Sequence, residues 1–401
     1  MIKEVIIEKI VDKLNEGYSE KIGVELPNGK KIPEEEVKHL VRFKTWEALN
    51  YTLKDPEMGF GESYMNGDIE VEGSLEEVIK RGMGLFRDTK RGEKLMGIIR
   101  HIPLFRTYRD EKNVRHHYDL GNDFYRLWLD ESMTYSCAFF ENPEMSIEEA
   151  QSLKRRIIFE KLRLKEGDRL LDIGCGWGSI ILEAAELYGV NSVGITLSEN
   201  QYEYVREKIR EKGLEDKVEV YKLHYKDLPK LGKKFNKVVS VGMFEHVGRE
   251  NYRLFFETVY RIMEEKGLFL LHTIGKFHPD TQSRWIRKYI FPGGYLPSIS
   301  EIEESLRGLD FYLIDLDNWR MHYYWTLQKW KERFLKNVDK VKKMFDERFV
   351  RMWELYLTSA AVSFLIGSNY VFQILLSKGV KNDYPVIERK FMESFSKEPV
   401  F

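Results

Sequence analysis

Apolar positions recur along the chain with two spacings. Met1 to Leu14 sets Ile and Val among Lys and Glu at helical intervals, which predicts an amphipathic helix. Asp68 to Glu72 instead alternates Ile69 and Val71 with acids, the pattern of a half-exposed strand. Ser74 followed by Glu77 supplies a capping box for the next helix. Turn chemistry falls at Leu26-Pro27-Asn28-Gly29 and Asn66-Gly67-Asp68. Residues 1–109 therefore read as a small α+β domain.

From near Asn113 the rhythm becomes one of apolar strands followed by helices, so residues 110–401 read as one larger α/β domain. Ser146 with Glu149 caps a helix to about Leu164, Arg169 to Ile173 is a short apolar strand ending in a glycine loop, and Gly178 to Tyr188 is the helix after it. Ser192 to Leu197 is the second strand, and Ser198 with Gln201 caps the helix that follows. Further strands are expected near Val218–Leu223, Lys237–Val241 and Leu268–Thr273. This alternation predicts a doubly wound, Rossmann-like parallel sheet. Helices are expected from about Trp325 to Ser377. The uncharged run Leu355–Ser377 is long enough to span a bilayer, but Thr358, Ser359, Ser363, Gly367, Ser368, Asn369 and Gln373 interrupt it. It reads as a buried core helix.

Composition narrows the class. With 43% hydrophobic residues and only 11 prolines in 401, the chain can bury enough apolar surface to fold, which excludes disorder and collagen. The 64 basic and 65 acidic residues leave a formal net charge of −1, so no global field draws it to nucleic acid. Charge is uneven, however: Lys80 to Arg109 holds nine Lys or Arg against Asp88 and Glu93. That stretch is either a solvated linker or a surface for anionic lipid headgroups, with Met83, Leu85, Phe86, Leu95, Met96, Ile98 and Ile99 as its apolar side. The two cysteines, Cys137 and Cys175, make no disulfide framework and fit a reducing compartment. The N-terminus lacks the uncharged core of a signal peptide.

The sharpest chemical signal is Leu171-Asp172-Ile173-Gly174-Cys175-Gly176-Trp177-Gly178. Glycines after a first strand let backbone approach a ligand and leave the next helix N-terminus facing it. The spacing is G-x-G-x-G rather than G-x-G-x-x-G, and the second strand ends in Thr196-Leu197-Ser198 with no acid, which disfavours a nicotinamide dinucleotide. The loop looks like the S-adenosylmethionine loop of doubly wound methyltransferases. Glu245 and His272 fall at the carboxyl ends of the fourth and fifth strands, where such sheets carry their reacting groups. His116 and His117 beside Asp119 are adjacent histidines that point apart on regular structure, so no metal is expected.

Tyr135-Ser136-Cys137, the glycine loop, Gly194 through Gln201, Val241 through Gly248, Leu271 through Gly275 and Lys288 through Gly294, in this order, resemble the bacterial cyclopropane-fatty-acyl-phospholipid synthases, with the mycolic acid cyclopropane synthases as near relatives. Gly61-Glu62-Ser63-Tyr64-Met65 extends the likeness more loosely. The resemblance implies that S-adenosylmethionine is held by Tyr135 and Ser136, by the loop of Asp172, Gly174, Cys175, Gly176, Trp177 and Gly178, by Thr196, Leu197, Ser198 and Gln201, and by His224 and Tyr225. It implies a bicarbonate ion bound by Cys137, Glu245, His272, Ile274 and a tyrosine best matched by Tyr323, with Tyr324 adjacent. It further implies methyl transfer to the double bond of a membrane phospholipid acyl chain, a cytoplasmic enzyme peripheral on the inner membrane face, and suggests a homodimer. Some members carry a cysteine in the final alanine-rich helix; Thr358 to Ser363 has none.

Two alternatives stay open. A related methyltransferase could make a methyl-branched lipid or methylate a small amine. A lipid-binding module could keep the fold without turnover, although the intact glycine loop, Glu245 and His272 argue against that.

Overall fold

Residues 2–87 and 120–384 are described by the computed structural model. The remainder of the basic stretch, residues 88–109, and the His116-His117-Asp119 group lie outside the described residues. Two compact units interleave along the sequence. The first joins the residues up to Arg87 with Ser283–Pro292 and Trp330–Ile366; the second joins Gly121–Gln282, Gly293–Lys329 and the chain from Gly367.

The first unit opens with a helix at Ile2–Asn15, followed by strands β1 (Ile22–Glu25), β2 (Lys31–Ile32), β3 (His39–Phe43) and β4 (Ile69–Glu72) in a sheet ordered β2-β1-β3-β4. Thr45 caps the helix Trp46–Lys54, and Asp55 with Pro56 starts the next, which Gly67 ends in the left-handed region at φ +80°. These two helices cross closely because Gly59 has no side chain: a Cβ there would lie 2.4 Å from the Tyr51 backbone. The Gly61-to-Met65 motif is a packing motif within this unit. A Cβ at Gly61 would sit 2.4 Å from the Trp285 indole, Glu62 accepts from Tyr51 Oη, Lys288 Nζ and Tyr289 Oη at 3.1, 2.8 and 2.7 Å, and Tyr64 Oη donates to Glu354 at 2.9 Å.

The second unit is built on seven strands: β5 (Arg169–Ile173), β6 (Asn191–Thr196), β7 (Val218–Lys222), β8 (Phe235–Val241), β9 (Met263–Gly275), β10 (Phe311–Asn318) and β11 (Tyr370–Lys378), in the order β10-β11-β9-β8-β5-β6-β7. β5 to β9 are parallel; β11 runs antiparallel to β9 and β10 to β11. Leu171, Ile173, Val238, Phe269 and Leu271 pack in one buried cluster, while the alternate residues Leu170, Val239, Leu268 and Leu270 pack in another. That period-two division, with apolar residues on both sides, is the pattern of a doubly wound sheet covered on both faces.

The end of the chain departs from the sequence reading. Helices occupy Arg320–Lys336, Val338–Met344 and Glu347–Leu365, but the expected single helix over Leu355–Ser377 stops at Leu365, turns at Gly367 (φ +70°) and becomes strand β11. The reason is burial. β11 lies between β9 and β10, its residues Val371 to Lys378 are all buried, and a strand covered on both faces shows no alternation to separate it from a buried helix. Gly367-Ser368-Asn369 supplies the break.

Candidate active site

Strand order reverses between β5 and β8, and the carboxyl ends of the parallel strands there border a cavity of about 490 Å³. β5 leads into the glycine loop, in which Gly174, Gly176 and Gly178 all have positive φ, +85°, +54° and +83°. The alternate glycines are needed for that backbone. A Cβ on Gly174 would lie 2.5 Å from Met243, and one on Gly178 2.9 Å from Val205, so the loop also draws neighbouring elements close. Gly178 precedes the helix Ser179–Tyr188 without a side-chain cap, and Ser179 and Ile180 line the cavity, leaving first-turn amides for a ligand.

The cavity takes in Asp172, Gly174, Cys175, Gly176 and Trp177 from this loop, and Tyr135 and Ser136 from the segment before the helix Ile147–Leu162. Thr196, Leu197, Ser198 and Gln201 line it from β6 and the helix Glu199–Glu211, and His224 and Tyr225 from the exit of β7. Of the residues assigned to the methyl donor by resemblance, Gly178 alone is off the wall; it acts through the loop. Thr196 Oγ1 donates to Gln201 Oε1 at 2.7 Å and accepts from the Ser198 amide at 3.1 Å, so three of these residues are locked together. Trp177 donates its indole N–H to Asn122 at 2.8 Å, and its ring lies 5.0 Å from that of Tyr125, which in turn packs 5.6 Å from Tyr135. The Tyr225 hydroxyl and Asp172 Oδ1 are buried with no hydrogen-bond partner among the described residues. Burial pushes the Asp172 carboxyl up to about 7.

A second polar cluster adjoins this cavity without lining it. In the short turn after β8, Met243, His246 and Val247 face the cavity while Glu245 is buried. Glu245 Oε1 accepts the Ile274 N–H at 2.6 Å, and Oε2 is buried with no partner among the described residues. Burial raises its carboxyl to about 7, against the opposing pull of the backbone donors. His272 stands two residues before Ile274 on β9 and is buried. Its Nδ1 lies 3.3 Å from Gln373 Nε2, its Nε2 is buried without a partner among the described residues, and burial drives its pKa well below the usual imidazole range. The ring is neutral at neutral pH.

Trp319 joins the remaining members. Its indole and the His272 ring meet at a right angle 5.3 Å apart, and the Cys137 thiol lies 3.2 Å from the Ala138 carbonyl and 3.9 Å from that of Trp319, which also accepts the Tyr323 backbone amide at 3.2 Å as the helix begins. Burial pushes the Cys137 thiol far up, so it stays protonated. Tyr323 is buried and Tyr324 only half-buried. Ser136 on the cavity wall and Cys137 behind it are consecutive, which makes the two clusters neighbours.

Two residues escaped the sequence reading. Trp319 stands at the start of a helix with no motif around it. Lys154, wholly buried on the helix Ile147–Leu162, lines the cavity and donates to Ser136 Oγ at 2.8 Å. The signal for it was the spacing Gln151, Lys154, Arg155, Ile158, which places a lysine on the buried face of an amphipathic helix.

A family model described as mycolic acid cyclopropane synthetase matches residues 105–374, and one described as a domain of unknown function, DUF7884, matches residues 9–85. The cyclopropane-fatty-acyl-phospholipid synthase of Escherichia coli K12 is 37% identical over 357 residues, 85% of this chain and 88% of that protein. A "Probable fatty acid methyltransferase" of Pseudomonas putida is 35% identical over 364 residues, 84% of this chain and 92% of its own. Among solved structures, mycolic acid cyclopropane synthase CmaA1 complexed with SAH and CTAB is 36% identical, with a TM-score of 0.62 over 66% of this chain and 97% of that one.

Proposed function

The chain belongs to the mycolic acid cyclopropane synthetase family and is an S-adenosylmethionine-dependent methyltransferase, and from that premise we propose that it transfers the donor's methyl group to the cis double bond of an unsaturated phospholipid acyl chain and closes a cyclopropane ring. The observation that carries this reading is that Glu245, tied to the end of β9 through the Ile274 amide, and His272 on β9 are both buried and each keep a polar atom without a partner among the described residues, while Met243 and His246 on either side of Glu245 line a donor-sized cavity.

The cavity residues fit S-adenosylmethionine. Gly174 and Gly176 give backbone without side chains, the uncapped helix start offers amides, and the Thr196-locked Gln201 presents an amide where dinucleotide enzymes present an acid for ribose hydroxyls. When bound, the donor supplies a sulfonium methyl electrophilic enough for an isolated alkene, provided water is kept out and the approach is aligned. Tyr135 and Trp177 both pack on Tyr125 and place aromatic rings on the cavity wall, which narrows the access of water.

The second cluster fits a small oxyanion with a proton of its own. A bicarbonate ion held there would supply the base that takes a proton from the transferred methyl as the ring closes. Glu245, at about 7, is available near neutrality both to accept a hydrogen bond and to donate one. Neutral His272 keeps an additional positive charge away from a reaction centre that is itself electron-poor. The reading assigns to the same ion the buried Cys137 thiol, which lies between the Ala138 and Trp319 carbonyls, and the buried Tyr323, while Ile274 acts by fixing Glu245. In this reading the enzyme is peripheral, with the basic stretch 80–109 meeting anionic headgroups on the cytoplasmic face. Among the described residues no helix is long and apolar enough to cross a membrane.

The test is to incubate the protein with trideuteromethyl-labelled S-adenosylmethionine and vesicles of a monounsaturated phospholipid, then analyse the acyl chains by mass spectrometry. Ring closure expels one deuteron and retains two. A methyl-branched product retaining all three would favour the second reading, which the similarity to a fatty acid methyltransferase supports. Absence of label from lipid would overturn both.

A further inference from the structure

We propose that Lys154 is the seat of the donor's α-carboxylate, so that the amino-acid end of S-adenosylmethionine is read by a buried lysine. The inference rests on the donor reading above and specifies which residue anchors that end.

The argument begins with an imbalance. Lys154 is 0% exposed, and a buried ammonium is costly unless it is paired with an opposite charge. Its only hydrogen bond among the described residues is to the neutral Ser136 Oγ at 2.8 Å, and no described carboxylate reaches it. The other buried cations of the same helix are satisfied. Arg155 pairs with Glu183 and reaches Ser132 Oγ at 2.9 Å, and Lys161 pairs with Asp315 at 2.9 Å and with Asp317. Lys154 differs from them in one respect: it lines the cavity.

Its neighbour there completes the pattern. Asp172 is likewise buried on the cavity wall, near enough to Lys154 for their charges to act on each other, yet its Oδ1 is unpartnered among the described residues and the two make no ion pair. One end of the cavity therefore presents an acid and a base that do not neutralise each other. An amino acid zwitterion supplies both missing partners, its ammonium for Asp172 and its carboxylate for Lys154 and Ser136. Burial, together with the neighbouring Arg155 charge, drives Lys154 down to about 7, and an arriving carboxylate holds it charged.

Equilibrium binding to the full chain tests this with two probes: S-adenosylhomocysteine, which has the amino-acid end, and 5′-methylthioadenosine, which lacks it. Lys154→Met is expected to weaken S-adenosylhomocysteine by about 30-fold or more and to leave 5′-methylthioadenosine within about threefold of wild type. Equal loss of both ligands, or S-adenosylhomocysteine binding within about threefold of wild type, overturns the proposal. Should Lys154→Met fail to fold, Lys154→Gln is measured the same way. The wild type offers a check without any variant: the carboxamide of S-adenosylhomocysteine should bind about 30-fold more weakly than the acid, and equal binding overturns the proposal. Wild type that binds no S-adenosylhomocysteine would overturn the donor reading itself.

Discussion

The Ile274 amide donates to Glu245 Oε1 at 2.6 Å and so fixes the carboxyl with its other oxygen, Oε2, buried and unpartnered among the described residues. The register of the sheet produces this. Val241 on β8 pairs with His272 on β9, and the Gly242 amide donates to the His272 carbonyl at 2.9 Å, so the turn that carries Glu245 folds over the end of β9. A glutamate held in this way by one oxygen keeps the other fixed in place, which is what the proposed role asks of it.

Glu245→Gln separates chemistry from donor binding. The amide oxygen can still accept from Ile274, so the turn should keep its shape, but the titratable group is gone. A drop in kcat of about 100-fold or more is expected, the range for losing a positioned acid–base group. Affinity for S-adenosylhomocysteine, measured by calorimetry, should stay near wild type because Glu245 does not line the donor cavity. Full turnover would rule out the role assigned to it.

Stability should depend on pH through the same residue. Burial raises the folded Glu245 carboxyl to about 7 from an ordinary value of 4.5. A raised folded value means that the native state binds the proton more tightly than the unfolded chain. Its contribution is therefore full below about 4.5 and is lost as pH rises through about 7. The gap corresponds to about 3 kcal/mol. Denaturant titrations from pH 4.5 to 8 should show wild type losing about that much relative to Glu245→Gln, with the two curves parallel above pH 8.

Legibility in the sequence followed the range of the interactions. The glycine loop, the Ser146–Glu149 box and strands β5 to β8 are set by residues near one another in the chain, and pattern alone located them to within two residues, while β9 begins at Met263, five residues before the expected Leu268. β11 was hidden because it is buried on both faces, and β10 because half its length, Tyr312, Leu313, Leu316 and Asn318, is exposed at a sheet edge. Trp319 and Lys154 belong to the site through partners about 180 and 18 residues away, Cys137 and Ser136. No local pattern announces such pairs; the sheet's return strands and a helix face bring them in.

Two glycines in the first unit should respond in opposite directions. Gly82 lies inside the helix Leu75–Arg87 with nothing within 4 Å of an added Cβ, so Gly82→Ala should stabilise by about 0.5–1 kcal/mol through helix propensity. A Cβ at Gly61 would lie 2.4 Å from the Trp285 ring, and Gly61→Ala should destabilise by about 1–3 kcal/mol as overpacking. Chemical denaturation of both variants checks the pair.

Gln201 gives the remaining prediction, because two roles meet in one amide. Its Oε1 accepts the Thr196 hydroxyl at 2.7 Å, and its backbone N–H donates to Ser198 Oγ at 3.3 Å to start the helix Glu199–Glu211. Gln201→Ala removes the first contact and leaves the second, so the helix should persist while donor affinity falls about tenfold, the value of one hydrogen bond to a ligand at the upper end of the neutral range. Gln201→Glu keeps an acceptor for Thr196 and places a carboxylate where dinucleotide enzymes bind ribose hydroxyls, so it should hold S-adenosylhomocysteine within about threefold of wild type. The contrast matters more than either value. If Gln201→Glu binds as poorly as Gln201→Ala, the side-chain N–H₂ rather than the oxygen is what the ligand reads, and the likeness drawn to the acid of dinucleotide enzymes falls.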